Sequence, residues 1–306
     1  MITKLVLDQT RFIVRLPDVS PQKILQGSTD DACIYKAVME QVHASTSDLK
    51  EGATHWKAKK GAVTKSVYPL DGGSKLTVAY GWSSKAKYHF MTAQFNPSKL
   101  TTKAACEVVA TFQTMFEWGY PEFIAKALCN YVEVPIDVLG GRKSDYLFFD
   151  STLKRHDDTY EENGTLYLGA KSSSRSLCIY DKAKQIADTG GPVLSHELLR
   201  MEARLKTNVA ALALHDLSCP FLTLRVVDKA KLMAIKHNSG IKLFRKRVLD
   251  DGMQPQEAFS KAVYKKGLLA DLEAARPPWY EPPELWKKFP SVAHRITLDG
   301  MQSIAA

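Results

Sequence analysis

The sequence predicts an α+β protein: a central antiparallel sheet with helices packed on one face, followed by a helical C-terminal region. Three observations favour this fold class. Short stretches that alternate apolar and polar residues recur up to about residue 227, and such alternation is typical of half-buried strands. Residues 101–117 carry apolar side chains at helical spacing. Helical periodicity then dominates from about residue 228 to residue 275.

The predicted elements follow in chain order. An opening strand falls within residues 1–18, a helix within 31–43 and a polar loop within 44–66. Further strands are predicted at 65–69, 75–82, 87–95, 131–139, 144–150, 165–170, 176–182, 197–206 and 220–227. Helices are predicted at 101–117, 121–130 and 207–215, with a charged loop at 151–164. We therefore divide the chain into an α+β core, residues 1–227, and a helical basic region, residues 228–306, whose Pro-rich segment 276–290 should be an extended tail.

Composition narrows the class of protein. A chain of 306 residues with 45% hydrophobic content can bury a large core. It contains no run of 18 or more apolar residues, so we expect no membrane span and no membrane partner. Five widely spaced cysteines without a Cys-x-x-Cys pair indicate reduced thiols in a cytoplasmic protein, not a disulfide framework or a zinc site.

The distribution of charge predicts a polyanionic partner. The net charge is +9, and two stretches account for the excess. Residues 50–87 hold eight lysines and two acids with interleaved tryptophans and tyrosines, and residues 225–250 hold eight Lys or Arg and two acids. Aromatic side chains can stack on bases while cations contact phosphates, so the pattern favours nucleic acid. The second stretch places four DNA-contact candidates close together: Lys242, Arg245, Lys246 and Arg247.

Three predicted strands each carry a polar face opposite an apolar one. Glu133 and Asp137 share a face of the first strand. The second has Cys178, Tyr180 and Lys182 on one face, and the third has Arg200, Glu202 and Arg204. If the three strands belong to one antiparallel sheet, these groups lie on a common surface.

The residue types on this surface suit attack on a phosphodiester. Tyr180 is the candidate nucleophile, and Lys182 beside it should favour the phenolate. Glu133, Asp137 and Glu202 are candidate ligands for Mg²⁺ or Mn²⁺, which prefer oxygen donors and would polarise the phosphate. Bidentate guanidinium contacts to phosphate oxygens are expected from two arginines of the third strand, Arg200 and Arg204.

These segments resemble the core of rolling-circle replication initiators, the nicking proteins of filamentous phages and of small plasmids with trans-acting initiators. The resemblance covers about residues 85–230 and is carried by Gly164–Gly169, Ser173–Lys182 and Leu198–Lys206, with weaker similarity at Phe95–Leu100 and Val132–Asp137. It implies that residues 1–227 form a sequence-specific DNA nickase and strand transferase. Tyr180 would form a 5′-phosphotyrosine and release a 3′-hydroxyl that primes synthesis, with a divalent metal in the site.

The same resemblance implies single-stranded or hairpin origin DNA and a host helicase as partners, and a homodimer is left open. Lys171 and Arg175, which bracket the connection before the tyrosine strand, are further DNA-contact candidates. Three departures from the family pattern concern the metal. The family's acidic strand usually carries Asp where this chain has Glu133. Pro135 predicts an edge or bulged strand at the acidic segment, and the His-hydrophobic-His pair of related initiators is missing, with His89 as the nearest substitute.

Other functions stay open at this point. A non-catalytic, sequence-specific DNA-binding protein would have the same basic stretches and sheet. A simple metal-dependent nuclease would use water in place of the tyrosine. A tyrosine recombinase is disfavoured, because the chain has no His-x-x-Arg box and Tyr180 lies on a predicted strand in mid-chain.

Overall fold

The computed structural model describes residues 1–15, 54–57, 63–83, 88–115, 119–153, 158–170, 172–235, 239–297 and 299–301. The helix predicted within residues 31–43 lies outside these described residues. None of the described helices is long and apolar enough to cross a lipid bilayer.

The structure contains strands, α-helices and short helical turns. The strands are β1 (Ile2–Leu5), β2 (Thr10–Arg15), β3 (Thr54–Lys57), β4 (Val63–Pro69), β5 (Lys75–Ser83), β6 (Tyr88–Phe95), β7 (Leu128–Leu139), β8 (Tyr146–Asp150), β9 (Thr159–Glu162), β10 (Thr165–Leu168), β11 (Arg175–Asp181), β12 (Leu198–Leu205), β13 (Val209–Ala210) and β14 (Leu224–Asp228). The α-helices are α1 (Thr102–Met115), α2 (Gly119–Lys126), α3 (Lys182–Asp188), α4 (Lys229–Ala234), α5 (Ser239–Arg245), α6 (Pro255–Ser260), α7 (Lys265–Glu273), α8 (Pro282–Trp286) and α9 (Phe289–Ala293). A π-helical turn, Lys246–Asp250, continues α5, and 3₁₀ turns lie at Asp71–Gly73, Pro97–Lys99, Lys143–Asp145, Ala211–Asp216 and His294–Ile296.

The chain forms two compact units, each assembled from segments that are distant in sequence. The first unit comprises Met1–Leu5, Val134–Leu205 and Ser218–Lys288, and the second comprises Val6–Glu133, Lys206–Leu217 and Phe289–Ala306. The compact units are thus not divided at residue 227, and the functional division proposed there stays a prediction.

The main sheet of the first unit has the strand order β1–β7–β12–β11–β10–β9, with β7 contributing residues 134–139. The ladders β1–β7, β12–β11, β11–β10 and β10–β9 are all antiparallel. The α+β fold class with a large antiparallel sheet is therefore confirmed. Pro135 does not mark an edge strand, because β7 lies between β1 and β12 and its ladder with β1 begins only at Ile136.

The apolar faces predicted for the three polar-faced strands are confirmed. Buried positions in the first unit include Val134, Ile136 and Val138 of β7, Leu177 and Ile179 of β11, and Leu199, Met201, Ala203 and Leu205 of β12. Removal of such side chains from water contributes about 1.5–3 kcal/mol each. Their burial fixes the register, because a shift by one residue would turn every charged group inward.

This unit also contains a two-stranded ladder, which packs against helices α5 and α6. β8 and β14 pair antiparallel, and Phe149 of β8 stacks on Phe259 of α6 with ring centroids 4.8 Å apart. Phe244 of α5 lies 6.0 Å from Phe149 in the same buried cluster. Residues on both sides of residue 227 thus share one hydrophobic core, which is why no compact unit ends there.

In the second unit, helices α1 and α2 pack on antiparallel strands. The strand order is β3–β4–β5–β6–β2–β7–β13, with β7 contributing residues 128–133. Phe112 of α1 and Phe123 of α2 have ring centroids 4.3 Å apart, and Phe123 lies edge-on to Phe12 of β2 at 6.3 Å. All three rings are fully buried, so this aromatic cluster forms the core between helices and sheet.

Two local predictions are wrong, for reasons visible in the backbone. Lys182 does not extend the strand of Tyr180, because Asp181 caps helix α3 by accepting a hydrogen bond from the Lys184 N–H at 2.9 Å. The segment predicted as an extended tail contains helix α8, which begins at Pro282, and proline suits the first position of a helix.

The charged loop predicted over residues 151–164 contains strand β9, which forms a hairpin with β10. Asn163 and Gly164 connect the two strands with positive φ angles of 49° and 75°. A two-residue Asn-Gly turn of this kind matches the twist of the flanking strands. The Asn-Gly pair could therefore have predicted this hairpin from the sequence.

Substitution of Gly169, after β10, is expected to destabilise the protein more than substitution of Gly164. The φ of Gly169 is +103°, and an added Cβ would lie 3.0 Å from the carbonyl oxygen of Arg175. Gly169→Ala should therefore lower the free energy of unfolding by about 1–3 kcal/mol. Gly164→Ala is the control, because its φ is +75° but no atom lies within 4 Å of the added Cβ. Equal urea midpoints for the two variants would contradict the contact at Gly169.

Candidate active site

The polar surface predicted from three strands is assembled in the first unit by strand register. Across the β11–β12 ladder, Tyr180 lies opposite Arg200 and Cys178 opposite Glu202. Residues directly opposite each other in an antiparallel ladder project from the same face. Tyr180, Arg200 and Glu202 therefore share one face of the sheet.

A hydrogen-bonded chain of three side chains occupies this face. The Tyr180 hydroxyl donates to Oε2 of Glu202 at 3.2 Å, and Nε of Arg204 donates to Oε1 of the same carboxylate at 2.7 Å. The Glu202 side chain is only 5% exposed. The order of groups is that of a nucleophile, a proton acceptor and a residue that orients the acceptor.

The environment of Tyr180 raises its pKa. Burial is the largest cause, since only 7% of the residue is exposed, and the negative charge of Glu202 adds to it. The charge of Arg200 opposes the rise without cancelling it. The role of Lys182 in favouring the phenolate stays a prediction, and a reaction at a hydroxyl with a raised pKa would need a partner that takes its proton.

Asp137 and Arg200 form a second charged pair on this face. Nε and Nη2 of Arg200 donate to the two carboxylate oxygens of Asp137, each at 2.6 Å. The two side chains are 16% and 12% exposed, respectively. Lys4 of β1 is the cross-strand neighbour of Asp137. The pair links β7 to β12 with the bidentate geometry that arginine favours.

The candidate metal ligands contact other side chains among the described residues. Asp137 and Glu202 each bind an arginine, while Glu133 belongs to the second unit and accepts a hydrogen bond from the Tyr131 hydroxyl at 2.5 Å. Among the described residues, no group of three or more His, Cys, Asp or Glu could hold a metal ion. The His89 side chain lies outside the description. The metal role of these carboxylates stays a prediction, and we derive no step through a metal.

Lys182 lies near Tyr180 although it begins a helix. Its Nζ is 5.8 Å from the centroid of the Tyr180 ring, and it donates to Oε1 of Gln185 at 2.7 Å. The ammonium therefore lies near the face of the Tyr180 ring.

Arg175 is held inside the first unit. Its three guanidinium nitrogens donate to the Pro220 carbonyl at 2.7 Å, to Asp150 Oδ2 at 2.7 Å and to Thr223 Oγ1 at 2.9 Å. Three of its five N–H donors are thereby used within the first unit, and its role as a DNA contact stays a prediction. The other candidate of this connection, Lys171, lies outside the described residues.

The basic residues around α5 divide into exposed and tethered groups. Lys242 and Lys246 are exposed. Arg245 donates to the Ile235 carbonyl and Arg247 to the Lys261 carbonyl, each at 3.3 Å. Lys242 and Lys246 are therefore the better placed of the four to contact DNA.

Sequence reasoning missed an aromatic pair on the same sheet face. Tyr160 of β9 pairs with Tyr167 of β10, and Tyr167 pairs with Cys178 of β11, so one row crosses three strands toward the candidate site. The two tyrosine rings stack with centroids 4.6 Å apart and planes 10° apart. A pocket of about 330 Å³ is lined by Tyr167 and Tyr180. The Asn-Gly turn was the signal that could have revealed this edge of the sheet.

One comparison with known proteins bears on these elements. Residues 145–242 match the family model described as replication initiation factor. The match includes β11, β12 and the Tyr180–Glu202–Arg204 chain. No curated protein matches the sequence. The match supports a replication initiator.

Proposed function

We propose that this chain starts DNA replication by nicking one strand of its origin, with Tyr180 as the nucleophile. The observation that carries the proposal is the hydrogen bond from the Tyr180 hydroxyl to Glu202, a carboxylate that Arg204 orients. This chain of contacts lies inside the segment that matches the replication initiation factor family. A replication initiator acts on DNA, and a phenol with an attached proton acceptor suits transfer of a phosphoryl group from DNA to protein.

The reaction is balanced without another reagent. The Tyr180 oxygen forms a bond to phosphorus while the bond from phosphorus to the 3′ oxygen breaks, which leaves the 5′ end attached to the protein. The phenol proton passes to Oε2 of Glu202 and ends on the departing 3′ oxygen, which becomes a free hydroxyl. Arg204 holds the carboxylate in place throughout, because its Nε binds the other oxygen.

Arg200 and Lys182 supply positive charge near the reacting group. Arg200 lies close enough to Tyr180 to oppose the rise in its pKa. Lys182 places its ammonium 5.8 Å from the ring centroid. Negative charge builds on phosphate oxygens during transfer, so fixed cations on this face favour the transition state over the bound substrate.

The remaining parts of the proposal follow from the resemblance. They are rolling-circle synthesis from the released 3′-hydroxyl, a divalent cation, a host helicase and, as one option, a homodimer. Exposed Lys242 and Lys246 would add phosphate contacts, and binding should then weaken as salt concentration rises. Activity with Mn²⁺ and with EDTA tests the requirement for a metal.

The proposal predicts a covalent complex between protein and DNA. Wild-type protein is incubated with Mn²⁺ and single-stranded DNA from its own replicon, denatured, and separated from unbound DNA. We expect protein on a 5′ end, with the modified residue mapped by mass spectrometry to Tyr180. Tyr180→Phe should form no complex but should keep its affinity for the same DNA, because only the hydroxyl is removed.

The alternatives give different products. A complex that maps to Tyr167 would move the nucleophile to the less buried neighbour in the same pocket. Cleaved DNA without attached protein would indicate a nuclease that uses water. Binding without cleavage or complex, on a strand shown to contain the origin, would support a non-catalytic DNA-binding protein.

A further inference from the structure

We infer that the pocket beside Tyr180 holds one unpaired nucleobase of the DNA strand, stacked on Tyr167, and that it prefers a base with an exocyclic amino group. The inference deepens the proposed function and rests on it, because the strand in the pocket is the one that Tyr180 would cut. It assigns a role to residues that the nicking reaction itself does not use.

The first argument is the aromatic surface. Tyr160 and Tyr167 are both half-buried, and their stacked rings extend the row that leads to Cys178. Tyr160 covers one face of the Tyr167 ring, so Tyr167 contributes its other face or its edge to the pocket wall. Flat rings next to a phosphate-transfer site are the usual way for proteins to hold single-stranded DNA, since every base has a π-face.

The second argument is the size and position of the pocket. Its volume of about 330 Å³ is at the lower end of ligand sites and suits a single nucleoside. It lies between the β9–β10 hairpin and helix α3, and the Tyr180 ring forms part of the same wall. A base in the pocket would therefore belong to a nucleotide close to the phosphate under attack.

The third argument is charge, which favours a base over a phosphate as the occupant of the pocket. The lining includes three carboxylates and one lysine: Glu162, Asp181, Asp188 and Lys184. Lys184 is already paired, with its Nζ 2.8 Å from Asp188. A phosphate in this pocket would be repelled by the excess negative charge, whereas a neutral base would not be repelled.

The same carboxylates indicate which bases fit. Carboxylates accept hydrogen bonds and cannot donate them when ionised. Cytosine presents an amino group where uracil and thymine present a carbonyl oxygen, and the acidic partner for cytosine N4 is a known pairing. Glu162 lies at the hairpin end of the pocket and is exposed, so it can be changed with little effect on the core.

The test measures equilibrium binding and does not depend on cleavage. Tyr180→Phe protein is titrated with fluorescent single strands of about 12 nucleotides that contain only cytosine, only uracil or only abasic sites. We expect cytosine to bind about 5-fold more tightly than uracil, which corresponds to one hydrogen bond. Abasic strands should bind more weakly than both.

Second-site variants in the same background locate the base. Tyr167→Leu should weaken binding of the cytosine strand about 5- to 150-fold, the range for one lost base–aromatic stack. Tyr160→Leu is the matched control, because its ring stacks on Tyr167 but does not line the pocket, and a smaller loss is expected. Glu162→Gln should reduce the preference for cytosine over uracil.

The outcomes distinguish this inference from the proposed function. Equal binding of abasic and cytosine strands, equal losses in Tyr160→Leu and Tyr167→Leu, or no binding to any strand would overturn the nucleobase pocket. Equal affinity for cytosine and uracil strands would overturn the amino preference. If the binding pattern holds while wild-type protein forms no covalent complex, the pocket stands and the nicking proposal fails.

Discussion

Glu202→Gln is expected to lower the rate of DNA nicking about 10²- to 10⁴-fold, the contribution typical of a positioned proton acceptor. Glutamine keeps the length of the side chain and can still accept a hydrogen bond from the Tyr180 hydroxyl. It cannot take the proton, so Tyr180 would have to react without its base. The measurement is single-turnover nicking with enzyme in excess, followed by the yield of covalent complex.

The effect on Tyr180 itself gives a second readout. Burial is the first cause of its raised pKa, and the charge of Glu202 is the second. Removing that charge should lower the pKa of Tyr180 while leaving it above its ordinary value, because the ring stays buried. Ultraviolet difference titration of wild-type and variant protein measures this change, whereas a loss of folding would bring the pKa of Tyr180 down to its ordinary value.

A carboxylate elsewhere in the first unit provides the control. Glu197 also pairs with an arginine, at 3.2 Å from Nε of Arg142, but no hydrogen bond joins it to Tyr180 among the described residues. Glu197→Gln should nick at the wild-type rate. If the rate of Glu202→Gln returns to normal at high Mn²⁺ concentration, Glu202 is a metal ligand as the sequence predicted, and its role as proton acceptor is refuted.

The sequence predicted the surface on which we propose this chemistry but not the side-chain pairs within it. Alternation was enough to place Arg200 and Glu202 on one face of β12, because side-chain direction follows from position along a strand. Tyr180 shares that face only because β11 and β12 are neighbours in this register. The partner of each group depends on which strands are neighbours and in what register. That is why Glu202 was expected to bind a metal, whereas the structure gives it Tyr180 and Arg204.

The limits of sequence reasoning were greatest where contacts join distant segments. Ile2–Leu5 pair with β7 across more than a hundred residues of sequence, and Phe149 shares a core with Phe244 and Phe259. Composition changes near residue 228, whereas one hydrophobic core includes residues on both sides of it, and the functional boundary at residue 227 stays a prediction. By contrast, the turn at Asn163 and Gly164 was a local signal and could have identified strand β9.

Asp150→Ala is expected to destabilise the first unit by about 3–5 kcal/mol, a large part of the stability of a typical domain. Asp150 is fully buried and accepts hydrogen bonds from the Thr152 N–H at 2.8 Å, the Thr152 hydroxyl at 2.6 Å, Arg175 at 2.7 Å and the Thr223 hydroxyl at 3.0 Å. Alanine removes the acceptor and leaves the mostly buried guanidinium of Arg175 without its charge partner. Urea denaturation followed by circular dichroism measures the loss.

The size of this effect depends on burial and not on the ion pair alone. Asp188 also pairs with a cation, Lys184, but both side chains are more than half exposed. Asp188→Ala should leave the urea midpoint nearly unchanged, since exposed pairs contribute little. If the two variants lose equal stability, the buried network at Asp150 does not hold the first unit together as argued.

The same network predicts how stability responds to acid. Burial alone would raise the pKa of Asp150, but the hydrogen bonds from Thr152 and the charge of Arg175 outweigh it and hold the pKa below its ordinary value. The unfolded chain therefore binds a proton at higher pH, about 3.9, than the folded chain does. The contribution of Asp150 is complete above that pH and is lost as the pH falls through the folded pKa. Because Asp150→Ala lacks this group, its unfolding free energy should fall less steeply with pH in that range, and an unchanged acid slope would show that Asp150 is not the group responsible.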